Sequence, residues 1–117
     1  MVLNNGDLVS GSSDNTIKIW NVETGTAKRT LTDHIKNFST LNVLDNGDLV
    51  SGSYDGTIKI WDVKTGAIKK DLKVDSKVHS LEILKDGSWI CGCKNGTIKI
   101  YEKFFYSNYL LFFKLIF

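Results

Sequence analysis

Cys91 and Cys93 are the residues whose types and spacing come closest to metal chemistry. At i and i+2 in a strand, two thiols share one face and could ligate a borderline ion. Such a centre needs further ligands, and His79 is the only nearby candidate, so the pair is read as two small residues in a packed strand. No metal site and no cofactor is expected, and the free thiols suit a reducing compartment. The densest basic run, Lys69-Lys70-Asp71-Leu72-Lys73, is read as a solvated strand edge rather than a phosphate-binding patch. A formal charge of +2 with both signs interspersed gives no field for specific nucleic-acid or anionic-membrane binding. No phosphate loop or paired-carboxylate motif is present, so catalysis has no visible carrier.

The elements that position these residues come from a repeat. Val2 to Trp20 returns as Val43 to Trp61, a period of about 41 residues, and a weaker copy runs from Ile83 to Tyr101. Units repeating at this length do not bury their faces alone and stack on their neighbours. In the second copy, Phe38 to Leu44 alternates apolar and polar residues, the mark of a strand. Asp45-Asn46-Gly47-Asp48 supplies a turn, Leu49 to Ser53 a second strand rich in small residues, and Tyr54-Asp55-Gly56 a hairpin signal. Thr57 to Val63 is β-branched and alternating, and after Lys64-Thr65-Gly66 the segment from Ala67 to Leu72 gives a fourth strand. Four antiparallel strands per unit predict an all-β chain built of propeller blades. Cys91 and Cys93 stand where this copy has Ser51 and Ser53.

The stretch from Leu49 to Asp62, preceded by His34, closely resembles a WD repeat. The resemblance implies a hydrogen-bonded structural tetrad of His34, Ser51, Asp55 and Trp61. It is physically consistent, because a buried indole N–H needs an acceptor and an Asp carboxylate can fix the tautomer of an imidazole. Ser, His and Asp in one network also have the composition of a hydrolytic triad. With the serine in a blade strand, its expected partner Trp61, and no nucleophile elbow, the structural role is the expected one. The first copy keeps a partial tetrad, Ser10, Asp14 and Trp20. In the third, Cys91, Asn95 and Tyr101 replace the Ser, Asp and Trp, while Asp75 falls near the His position, so a weak network is expected there.

The resemblance implies an incomplete, open WD-repeat β-propeller acting as a non-enzymatic scaffold for protein partners. Contacts are expected on the narrower face, at Tyr54 with its repeat equivalents Lys94 and Ser13, and at Asn37 and Lys77 before the inner strands. Expected units are a partial blade over 1–31, a complete blade over 32–72, a degenerate blade over 73–103, and a hydrophobic tail over 104–117. The tail holds 7 of the 13 aromatic residues, and the Thr-Gly turn and fourth strand expected there are missing. It is read as foreign to the repeat, too short to span a bilayer as a helix, which takes about 17 to 25 residues. With no leader preceding the repeat, an intracellular, cytoplasmic location is expected. Propellers close with about 4 to 8 blades, so the expectation is a fragment of a longer ring with possible self-association through open blade faces. The alternatives are a truncated product without function, a ring completed by several copies, and an adaptor region of a larger enzyme complex.

Overall fold

A computed structural model describes residues 1–34, 38–106 and 109–116, with side chains described over 1–34 and 39–101. All its regular elements are strands. The first sheet holds β1 (Leu8–Gly11), β2 (Ile17–Asn21) and β3 (Thr26–Leu31); the second holds β4 (Phe38–Val43), β5 (Leu49–Ser53), β6 (Thr57–Trp61) and β7 (Ile68–Lys73). The third holds β8 (Val78–Ile83), β9 (Trp89–Cys93), β10 (Ile98–Tyr106) and β11 (Tyr109–Ile116). Each sheet is an antiparallel meander in chain order.

One register recurs in all three sheets: Leu8 faces Trp20, Leu49 faces Trp61 and Trp89 faces Tyr101. The hairpin between these strands is built the same way each time. Asp14, Asp55 and Asn95 accept from the backbone N–H and hydroxyl of the threonine two residues on. The residue between them adopts positive φ, 73° at Asn15, 83° at Gly56 and 88° at Gly96. Asn and Gly are the residues that tolerate that conformation.

Packing follows from the two-residue alternation of strands. Leu49 and Trp61 leave the second sheet on one face and meet Val9, Ile17 and Ile19 of the first. Val50, Ile58 and Ile60 leave on the other face and meet Trp89, Cys91, Cys93 and Tyr101 of the third. The middle sheet is therefore buried on both sides. Gly52 marks the closest approach: a Cβ there would sit 2.6 Å from Val78 Cγ1 and 2.8 Å from Thr40 Cγ2. The inner strands β4 and β8 are also tied by Ser39 Oγ donating to Val78 O at 2.5 Å and Asn42 Nδ2 to Leu81 O at 2.6 Å.

The third sheet departs from the sequence expectation. The fourth strand expected to be missing is supplied by β11, paired with β10 from Lys99 opposite Ile116 to Tyr106 opposite Tyr109. The boundary expected after residue 103 falls inside β10. An edge of unpaired N–H and C=O groups favours strand addition, and the aromatic and aliphatic residues of Tyr109–Ile116 are strand formers. The Thr-Gly turn of the earlier sheets, where β6 and β7 shift register between Ile60 and Trp61, has no counterpart in the unbroken β10–β11 pairing.

Candidate functional site

Two clusters of polar side chains merit the test of chemistry, one sealed and one exposed. In the sealed one, β5 and β6 put Ser51 and Trp61 on one face, and Trp61 Nε1 donates to Ser51 Oγ at 2.8 Å. His34 Nε2 lies 2.6 Å from Ser51 Oγ, and His34 Nδ1 lies 3.0 Å from Asp55 Oδ2. Burial pushes the Asp55 pKa up, but hydrogen bonds from Thr57 and His34 outweigh it and hold the carboxyl below its usual range. An ionised Asp55 accepts the Nδ1 proton, which leaves Nε2 as acceptor of the Ser51 hydroxyl. The chain of donors thus runs from Trp61 through Ser51 and His34 to Asp55.

Its composition matches a hydrolytic triad, but its surroundings do not. Ser51 is fully buried, and His34 is 3% exposed. The Ser51 hydroxyl already accepts from the Trp61 indole. Each buried polar group of the arrangement has a hydrogen-bond partner within it. The polar links extend along the same face: Lys59, buried, reaches Asp71 at 2.7 Å and Asp33 at 2.9 Å. Burial lowers the Lys59 pKa, yet the bonds to Asp71 and Asp33 more than reverse this and raise it.

The other two sheets hold reduced versions. In the first, Trp20 Nε1 donates to Ser10 Oγ at 2.8 Å, and Asp14 is committed to Thr16. In the third, the buried Tyr101 hydroxyl has no hydrogen-bond partner among the described residues. Burial, with Cys91 and Cys93 nearby, pushes its pKa up to about 12. Asp75, expected near the histidine position, pairs instead with the buried Lys99 and so repeats the role of Asp33. Cys91 and Cys93 lie with their Sγ atoms 3.8 Å apart, both buried. Among the described residues no group of three or more His, Cys, Asp or Glu side chains could hold a metal ion. His79 is exposed and turned to another partner.

That partner is Tyr54, the centre of the exposed cluster. The rings of Tyr54 and His79 stack with centroids 6.3 Å apart and an interplanar angle of 14°, and Tyr54 Oη lies 3.4 Å from His79 Nδ1. The ammonium groups of Lys77 and Lys94 lie 5.7 and 5.9 Å from the Tyr54 ring centroid. The end of β5, the start of β8 and the end of β9 deliver these residues to one rim, and Lys94 N donates to Lys77 O at 3.0 Å. Three of the expected contact residues, Tyr54, Lys77 and Lys94, therefore converge. Ser13 occupies the equivalent turn of the first sheet and is exposed, and Asn37 lies outside the described residues. His79 was not foreseen at this rim, because nothing in its own strand signals the tyrosine of the neighbouring sheet.

The WD domain, G-beta repeat family (WD40) matches residues 2–21, 25–62 and 69–102. Among solved structures, the chain is similar to the WD40 β-propeller domain of Doa1, at 28% identity and a TM-score of 0.82, over 87% of this chain and 35% of that one. It is also similar to the β-propeller domain of Myceliophteria thermophila Cps50 (Swd1), at 20% identity and a TM-score of 0.78, over 94% of this chain and 35% of that one. The chain thus spans about a third of the length of either structure. No curated protein sequence matches it.

Proposed function

Because the chain belongs to the WD-repeat family, we propose that it is a non-enzymatic protein-interaction module whose contact surface is the rim carrying Tyr54, Lys77, His79 and Lys94. The observation that carries this reading is the juxtaposition of a half-buried aromatic, ringed by exposed Lys77, His79 and Lys94, with the buried network that begins at the next residue, Asp55. Ser53 Oγ accepts from Asp55 N at 3.1 Å, so the turn bearing Tyr54 is fixed at both shoulders. An aromatic side chain held in place loses little entropy on binding, which is why such residues dominate contact energies. The tetrad of His34, Ser51, Asp55 and Trp61 serves as the brace, and the shorter set Ser10, Asp14 and Trp20 does the same for the first sheet.

Photo-crosslinking tests the reading. A benzoylphenylalanine at position 54 should capture protein partners in the cell, and the same group at Val22, exposed on the far turn of the first sheet, should not. Equal capture from both positions contradicts the assignment of the rim. A serine-directed fluorophosphonate should leave Ser51 unlabelled, and labelling would restore the hydrolytic alternative.

Repeat equivalence favours a second property, continuation of the ring. Leu8 is 39% exposed where its equivalent Leu49 is fully buried, and Ile98 is 47% exposed where Ile17 and Ile58 are at most 1% exposed. The outer faces of the first and third sheets thus carry the side chains that the middle sheet buries on its two sides. Adjoining blades, supplied by further repeats in a longer protein or by another copy, would cover them. Light scattering of the chain should show association that grows with concentration. A monomer at tens of micromolar contradicts coverage by another copy.

A further inference from the structure

We propose that the rim cluster recognises an acidic peptide segment, its carboxylates seated between Lys77 and Lys94 beside the Tyr54 ring; this rests on the interaction-module reading above. Charge accounting leads to this ligand. Lys28, Lys59, Lys69 and Lys99 each pair with an aspartate. Lys77 and Lys94 make no ion pair among the described residues, as is true of Lys18, Lys64, Lys73 and Lys85, and what sets these two apart is that both reach the same ring. The nearest acid in sequence to Tyr54 is Asp55, and its oxygens are already taken by His34 and Thr57. Two cations therefore share the one aromatic ring, each within cation–π reach of it.

An added carboxylate can form charge-assisted hydrogen bonds to either ammonium. Tyr54 and His79 supply flat surface for the aliphatic part of a glutamate and for the peptide backbone. A nucleic acid fits less well, because tight phosphate-backbone binding draws on about 6 to 10 neutralised phosphates. Among the described residues this rim offers two lysines.

The experiment uses the whole chain and a fluorescein-labelled peptide of alternating Glu and Gly, followed by anisotropy. Its comparators are the same peptide with Gln for Glu, one with phosphoserine for Glu, and a labelled single-stranded 20-nucleotide DNA. The Glu peptide should bind, weaken as salt rises, and lose about tenfold or more in affinity when Lys77→Gln and Lys94→Gln are combined. Both lysines are exposed, so the double variant should keep its circular dichroism. Absence of Glu-peptide binding, or binding unchanged in the double variant, overturns the proposal. Tighter binding of the phosphoserine peptide or the DNA overturns the choice of carboxylate. A Gln peptide that binds equally well, and is released by Tyr54→Ala, overturns the acidic ligand while leaving the rim as the contact surface.

Discussion

Trp61 and Trp20 make the same bond, an indole N–H to a serine hydroxyl at 2.8 Å, on equivalent strands of adjacent sheets. Everything around the bond differs. Trp61 is 2% exposed, lies against the first sheet, and its serine passes the contact on to His34 and Asp55. Trp20 is half-buried on the outer face of the first sheet, beneath Lys18 at 5.6 Å. A hydrogen bond of fixed length gains its weight from the exclusion of water and from the partners that satisfy its far end. The second sheet supplies both conditions.

The largest effect that could break this comparison comes from removing each indole. Trp61→Ala should cost about 3 to 5 kcal/mol in chemical denaturation, whereas Trp20→Ala should cost about 1 to 2 kcal/mol. Equal losses would mean that burial does not separate the two sites. Next comes the serine. Ser51→Ala strands both the Trp61 N–H and the His34 ring nitrogen, so about 2 to 4 kcal/mol is expected. Ser10→Ala leaves an indole that water can reach, and about 1 kcal/mol or less should be lost.

Acid sharpens the comparison further. The folded-state pKa of Asp55 is depressed, so its contribution is present above the unfolded carboxylate value of about 3.9 and fades as pH falls through the folded value. Unfolding midpoints measured from pH 6 down to pH 2 should therefore fall less steeply for Asp55→Asn than for the unaltered chain. Parallel curves would show that Asp55 is not held by the network.

The smallest effect belongs to the third sheet. Tyr101→Phe removes a buried hydroxyl without a described partner, so stability should stay level or rise by up to about 1 kcal/mol. The raised Tyr101 pKa means that its neutral form is favoured by folding. That contribution is complete below the unfolded value of about 10 and is lost as pH rises toward 12. Absorbance at the phenolate band should show a class of tyrosine that resists ionisation until the chain unfolds, and that class should vanish in the Phe variant.

The parts legible in the sequence are those written locally. The alternation in Thr57–Trp61, the Asp-Gly hairpin before it and the two-residue spacing of Leu49 and Ser51 fix which face each side chain takes. The repeat then carries that reading to the other sheets. Contacts between sheets are not written this way. The stacking of His79 on Tyr54 depends on which turns meet once the sheets pack. Strand β11 was hidden for another reason. Its run from Tyr109 to Ile116 lacks the apolar and polar alternation of a half-exposed strand, and composition alone gave no pairing partner.

Exchange of the indole N–H protons, followed by ¹⁵N-edited NMR in deuterated water, tests the central claim that the second-sheet network is sealed and serves as a brace. The Trp61 proton should exchange at least about 100-fold more slowly than that of Trp20. Comparable rates for the two indoles would mean that water reaches Ser51, His34 and Asp55, and would contradict the account.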